Sequence, residues 1–258
     1  MPIFDGTTNS EKVIQNFASR IKGRTFVITG AAADFDQVRS ASETIRSAAP
    51  RIVVLINNAG INKASNNQLS ANYLGHFLLT SLLMHNLLAA APDARVVNVS
   101  SHGYRISPFR FNDWNFSGGK PYNEWTAYGQ AKTAQTLFTI ALTKKFKDRG
   151  VTSTVVHPGN IFTTGLATQL TMEDLGKVAE IAKRETGVEW YFEPPQQKSL
   201  TQGAATHLYA ALDPNIPAKS PAYFSNCQIQ EPLEYDANPE ATEKLWELSE
   251  ELVKQKFE

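Results

Sequence analysis

Tyr128 and Lys132 stand four residues apart in the run Tyr-Gly-Gln-Ala-Lys. On a helix they share one face, about a turn apart. An ammonium beside a phenol favours the phenolate and lowers the tyrosine pKa. A phenol tuned in this way can pass a proton to or from a carbonyl oxygen. The same pair is also what a snorkelling lysine beside a surface tyrosine looks like, so the neighbouring runs decide. Ser100-Ser101 closes an apolar run, where a hydroxyl can hydrogen-bond a substrate oxygen; either serine could equally be a cap. Asn57-Asn58-Ala59-Gly60 closes a second apolar run and could be a bare turn. His157-Pro158-Gly159-Asn160-Ile161-Phe162-Thr163 closes a third. His157 reads as a packed strand-end histidine, His76 and His85 as structural, and His102 and Tyr104 as candidates for a pocket wall. No acidic/His cluster shows convincing metal spacing, so no metal is expected.

These runs need strands and helices to position them. Residues 24–29, 51–56, 95–100 and 151–157 are short apolar strands, and 221–227 is a further candidate. Helical spacing covers 34–49, 70–90, 124–149, 198–212 and 240–254. In the last of these, Glu243 to Glu251 reads as a solvated face. An aromatic loop from Tyr104 to Trp125, with Phe109, Phe111, Trp114, Phe116 and Tyr122, suggests an apolar lid. The irregular stretch 161–195 is the other candidate lid. Alternating strands and helices imply an α/β fold: one domain over residues 1–258, a Rossmann-like doubly wound parallel sheet with helices on both faces. In such sheets ligands sit beyond the carboxyl ends of the strands, where Gly30, Asn58 to Gly60, Ser100-Ser101 and His157 to Gly159 all fall.

Of the 258 residues, 42% are hydrophobic, and 25 basic side chains balance 25 acidic ones. That is enough apolar material for a core. The absence of surplus basic charge argues against nucleic acid or anionic membranes as partners. The single cysteine, Cys227, excludes a disulfide framework and multi-thiolate zinc, and suggests a reducing, cytoplasmic setting. The N-terminal stretch does not read as a signal peptide. Residues 77–91, the most apolar helical stretch, are too short to span a bilayer.

Taken together these runs resemble the short-chain dehydrogenase/reductase family. The matching pieces are Thr29-Gly30, the Asn-Asn-Ala-Gly turn, Asn72 in Asn-Tyr-Leu-Gly-His-Phe, the Ser-Ser strand end, Tyr-x-x-x-Lys, and Pro158-Gly159 with Thr163. Within the family the chain looks most like retinol-dehydrogenase-like, fungal-type members, on Asn98-Val-Ser-Ser-His, on Ala127 to Ala134, and on the ending from Glu243. The resemblance implies hydride exchange between NADP (NAD is the other option) and an alcohol/carbonyl pair on a moderately hydrophobic small molecule. Fungal specialised metabolism is one setting for such a reaction. Tyr128 would be the general acid/base. Lys132 would lower its pKa and hold the nicotinamide ribose. Ser101 would polarise the carbonyl, with Ser100 as the alternative. Asn72 would anchor a proton-relay water. Thr29, Gly30, Asn58, Ala59 and Gly60 would lie along the cofactor, and Pro158, Gly159, Ile161 and Thr163 would meet its nicotinamide end. Many family members are homo-oligomers.

The sequence departs from the family at its first turn. The family pattern there is Thr-Gly-x-x-x-Gly-x-Gly, whereas Gly30 here is followed by Ala31-Ala32-Ala33-Asp34-Phe35-Asp36. Carboxylates suit a helix N-terminus but repel phosphates. The segment from Ala33 looks like the stretch just after the family's third strand, so two edge strands and two helices are expected to be missing. Strand 24–29 would then be an exposed apolar edge, open to pairing. The missing part would hold the adenosine and pyrophosphate. The implied protein keeps its catalytic groups and binds cofactor weakly. The alternatives are a cofactor-poor, catalytically silent member or a misjoined gene product.

Overall fold

The computed structural model describes residues 4–30, 34–61, 67–119, 122–166 and 171–257. Six strands form one sheet: β1 (Phe26–Ile28), β2 (Val54–Asn57), β3 (Ala94–Val99), β4 (Val151–His157), β5 (Tyr223–Ser225) and β6 (Gln228–Gln230), in the order β1-β2-β3-β4-β5-β6. β1 to β5 are parallel, as the continuous apolar runs imply. β6 corrects the all-parallel expectation, because it pairs antiparallel to β5. Asn226 and Cys227 make the turn, at φ 55° and 59°, the left-handed pair that a two-residue hairpin requires. A cysteine gives little sequence signal for such a turn.

The helices are α1 (Ser10–Asn16), α2 (Phe35–Ala48), α3 (Gly75–Leu82), α4 (Met84–Leu88), the single turn α5 (Phe116–Gly119), α6 (Glu124–Phe146), α7 (Met172–Thr186), α8 (Leu200–Leu212), the single turn α9 (Ile216–Lys219) and α10 (Pro239–Leu252). The chain passes from β1 to β2 through α2 alone, and β1 is the sheet's edge, with Ile28 62% exposed. Ala31, Ala32 and Ala33, at the junction singled out in the sequence, lie outside the described residues. α2 begins on Asp34, whose carboxylate accepts from Gln37 N at 2.8 Å in a capping box.

The expected helix 70–90 is three pieces. A π-helical turn (Ser70–Leu74) precedes α3, and Leu83 separates α3 from α4. Near the break the Asn86 carbonyl accepts from Ile52 N at 3.0 Å, and the Asn86 amide donates to Ala49 O at 2.8 Å. The segment beyond it is thereby tied to the start of the second strand region. α7 is longer than the irregular stretch 161–195 suggested. Thr171 and Asp174 form a capping box at its start, and Gly187, at φ 72°, ends it.

α6 is buried on nearly every face between β3, β4, the turn His102–Ile106 and α10. This explains its lack of a polar stripe. α10 buries Leu245, Trp246 and Ser249. Glu250 is the exception to its solvated face, being 6% exposed and accepting from Trp246 Nε1 at 3.0 Å and Phe257 N at 2.7 Å. Among the described residues, no helix is long and apolar enough to cross a membrane.

Candidate active site

The carboxyl ends of β2, β3 and β4 open into a cleft of about 730 Å³. Gly30, Asn58, Ala59, Gly60, Ser101, Tyr128, Lys132, Pro158, Gly159 and Ile161 all line it, in keeping with the expectation from the sequence. Thr29 and Asn72 stand outside the lining. Thr29 Oγ1 accepts from both Asn58 N and Ala59 N at 2.9 Å, so it shapes the Asn-Asn-Ala-Gly turn. Asn72 sits in the π-helical turn, accepting from Ile61 N at 2.7 Å and donating to Ile61 O at 2.9 Å. The Asn72 carbonyl accepts from the Gln135 side chain at 2.5 Å. Its partners are therefore protein groups that fix the strand-end turn. Thr163 is exposed and outside the lining, where Thr164 takes part instead.

The two serines divide cleanly. Ser100 is buried and donates to Lys132 O at 2.9 Å. Ser101 also lines the cleft, as Ser100 does, caps the turn His102–Ile106 by accepting from Gly103 N at 3.0 Å, and pulls the Tyr128 phenol's pKa down. Ser100's hydroxyl is committed to the Lys132 carbonyl, which leaves Ser101 the freer donor toward the cleft.

Electrostatics around the pair differ from the sequence expectation. Burial pushes the Tyr128 phenol up to about 12, and the Ser101 hydroxyl is what pulls it back down. Burial pushes Lys132 down to about 8. The ammonium donates to Val99 O at 3.0 Å and lies 5.5 Å from the Tyr128 ring centroid, over the ring. Desolvation dominates both groups.

A buried polar ladder holds the strand ends in register. Asn57 donates to Thr80 Oγ1 and Asn98 Oδ1, both at 2.8 Å, and Asn98 donates to Thr139 Oγ1 at 2.9 Å. His76 is structural as expected, 3.3 Å from Thr29 Oγ1 and 2.6 Å from Gln135 Nε2. His102 lines the cleft as one of the two candidates for its wall, while Tyr104 does not. His157 is packed at its strand end and also lines the cleft.

The aromatic loop is not the lid that its composition suggested. Of its aromatic side chains only Trp125 lines the cleft. Phe109 packs against Phe111 at 4.8 Å between ring centroids, and Trp114, Phe116 and Tyr122 surround a separate cavity of about 210 Å³. The apolar wall comes instead from Phe162, Leu166, Val178, Trp190 and Phe192 of the other stretch.

The sequence pattern described as short chain dehydrogenase matches residues 4–174. The chain belongs to the short-chain dehydrogenase family. This short-chain dehydrogenase is 34% identical over 230 residues to retinol dehydrogenase 12 of Mus musculus, covering 85% of this chain and 67% of that protein. It is 32% identical over 273 residues to the short-chain dehydrogenase/reductase prx1 of Penicillium roqueforti, covering 96% of this chain and 76% of the relative. That match runs longer than the chain's own 258 residues, so the relative carries residues inside the matched stretch that this chain lacks. Among solved structures, the 3-alpha-hydroxysteroid dehydrogenase from Pseudomonas sp. B-0831, complexed with NADH, superposes with a TM-score of 0.59 at 16% identity, over 81% of this chain and 87% of that one. This likeness shows the Rossmann-like fold.

The nicotinamide end of such a cofactor fits what is present. A Cβ on Gly60 would lie 3.2 Å from Asn72 Oδ1 and 3.8 Å from Lys132 Nζ, so only a glycine leaves this floor open beside the lysine. The adenosine end finds no counterpart among the described residues. β1 is the sheet's edge, and carboxylates from Asp34 and Asp36 stand at the N-terminus of α2, where phosphates would need to approach.

Proposed function

We propose that the cleft interconverts a carbonyl and an alcohol on a moderately hydrophobic small molecule, with Tyr128 as general acid/base and Ser101 polarising the reacting oxygen. The observation that carries this reading is that Ser101 and the buried Tyr128 crowd the same glycine, Gly103, in the wall of one apolar cleft. In the reductive direction the carbonyl oxygen accepts hydrogen bonds from Ser101 Oγ and Tyr128 Oη. As negative charge develops on it, the phenol proton passes across. Lys132, held on the Val99 carbonyl, sets a positive charge over the Tyr128 ring and so favours the phenolate left behind. When bound along Asn58 to Gly60 and Pro158 to Ile161, NADPH or NADH would supply the hydride. Asn72 holds the floor of that seat through Ile61.

The stretch 161–195 acts as the substrate lid, since it contributes Phe162, Leu166, Val178, Trp190 and Phe192 to the apolar wall. The name of the retinol dehydrogenase relative supports an apolar, retinol-like substrate, and the Penicillium source of the prx1 relative supports a fungal setting. The open β1 edge supports pairing with a second copy. Binding is weak because the cofactor's adenosine end has no seat among the described residues.

The test is carbonyl reduction by purified protein at saturating NADPH, with apolar aldehydes as substrates. Turnover should fall by about 10²–10⁴-fold in Tyr128→Phe. Equal rates in Tyr128→Phe and wild type would remove the proposal.

A further inference from the structure

Three polar atoms in the cleft wall have no hydrogen-bond partner. His102 Nε2, His157 Nε2 and Trp190 Nε1 are all buried and unpaired among the described residues, and all three side chains line the cleft that holds Ser101 and Tyr128. His102 is 7% exposed and His157 2%. Their rings are 5.9 Å apart, and Trp190 stacks edge-on to His102 at 5.1 Å. Native structures rarely leave buried polar atoms unpaired, and a row of them in an apolar wall marks a place that a ligand completes.

Glu193 joins this group. Its Oε2 lies 3.7 Å from His157 Nε2, beyond hydrogen-bond reach, and the Ser225 hydroxyl donates to it. One ligand atom from each of His102, His157 and Glu193 falls within 4.8 Å of the others. Two imidazoles and a carboxylate at such spacing first suggest a metal ion, but the proton on His157 argues against one. The His102 backbone N–H donates to His157 Nδ1 at 3.2 Å. Burial, with His102 and Lys198 nearby, keeps the ring neutral. Its one proton is therefore on Nε2. A metal needs the Nε2 lone pair, which would put the proton on Nδ1, facing the His102 N–H. Metal-bound histidines instead direct their second N–H at an acceptor.

A hydroxyl satisfies what a metal does not. It has one proton to give and two lone pairs. One oxygen between the two groups can accept from His157 Nε2–H and donate to the Glu193 carboxylate. Its second lone pair remains for Trp190 Nε1–H. We propose that His157, Glu193 and Trp190 bind a substrate hydroxyl distinct from the oxygen that reacts at Tyr128, with His102 closing the wall. The substrate class is then an apolar carbonyl compound that carries a second, remote hydroxyl. This rests on reading the cleft as a carbonyl/alcohol site.

Dihydrocitronellal and hydroxycitronellal test it, since they share one skeleton and differ by a single hydroxyl far from the aldehyde. Their binding to the full chain is measured by calorimetry, which needs no turnover. Hydrophobic transfer alone favours dihydrocitronellal. The proposal expects hydroxycitronellal to bind about tenfold more tightly, and expects the preference to vanish in both His157→Phe and Glu193→Leu. If His157→Phe does not fold, Glu193→Leu and His102→Phe carry the comparison. Equal or weaker binding of hydroxycitronellal to wild type overturns the proposal, and Tyr128-dependent reduction of both aldehydes then leaves the carbonyl reading standing. Failure of both aldehydes to bind overturns the two together. Tight binding of zinc alone, lost in His157→Phe, also overturns the proposal by making the group a metal site.

Discussion

Gly103 and Tyr128 are packed so closely that a single added carbon would collide. A Cβ on Gly103 would lie 2.8 Å from Tyr128 Cδ1, nearer still to Cε1, and 3.3 Å from Ser101 Oγ. The glycine, which also lines the cleft, thus sets how closely the two hydroxyl-bearing side chains can pack. Gly103→Ala should fold, with a stability loss of about 1–3 kcal/mol from overpacking. It should lose about 10²-fold in kcat, because a displacement of around an ångström at the proton donor is enough for that. Steady-state kinetics with a thermal melt on the same sample checks both. Wild-type kcat in Gly103→Ala would mean that the ring position is not critical.

The two serines make opposite predictions. Ser101→Ala should lower kcat by about 10²-fold, since it removes a donor to the reacting oxygen, and should cost about 1 kcal/mol for the lost cap on Gly103 N. Ser100→Ala should keep kcat within a few-fold and cost about 1 kcal/mol, the worth of its buried hydrogen bond to the Lys132 carbonyl. Reversed results would exchange their roles.

The pH dependence comes from the phenol. With its pKa pushed up to about 12, Tyr128 carries its proton throughout the neutral range in the free protein. Carbonyl reduction needs that proton and should be flat between neutral and mildly alkaline pH. Alcohol oxidation needs the phenolate and should keep rising with pH over the same span. Rates in both directions at saturating substrate check this. An oxidation rate already level at neutral pH would show that the phenol is acidified after all.

Asp236 gives a stability test away from the cleft. It is fully buried, and neither oxygen has a close partner among the described residues, so burial holds its carboxyl well above the usual carboxylate range. The folded state then binds a proton that the unfolded state has lost. Stability attributed to this group is present below the unfolded pKa of 3.8 and is lost as pH rises through the folded value. Asp236→Asn should therefore match wild type in melting temperature near that acid pH and exceed it increasingly toward neutrality. A gap that shrinks with pH would contradict the assignment.

Much of this was legible in the residues. The strand runs 51–56, 95–100 and 151–157 are continuous and apolar because both faces are covered, so they and the turns that end them could be placed at once. Tyr128, Lys132 and Ser101 came with those placements. What the residues hid was set by tertiary packing. Nothing in Asn226-Cys227 announces a left-handed turn, so β6 was missed. The break at Leu83 depends on Asn86 reaching the end of α2. The extent to which burial pushes Tyr128 up and Lys132 down is set by packing around α6 and has no signature in the Tyr-x-x-x-Lys spacing. His157 ends β4, while Trp190 and Glu193 stand three residues apart beyond α7, and no spacing pattern connects the histidine to that pair.

The central claim is that the reacting end of the proposed site is present while, among the described residues, the adenosine end of its cofactor has no seat. Dissociation constants for NADPH and for reduced nicotinamide mononucleotide, measured side by side by fluorescence, test it most directly. The account predicts that both bind weakly and within a few-fold of each other. NADPH binding in the low micromolar range, with the mononucleotide at least about a hundredfold weaker (about 2.7 kcal/mol), would contradict it.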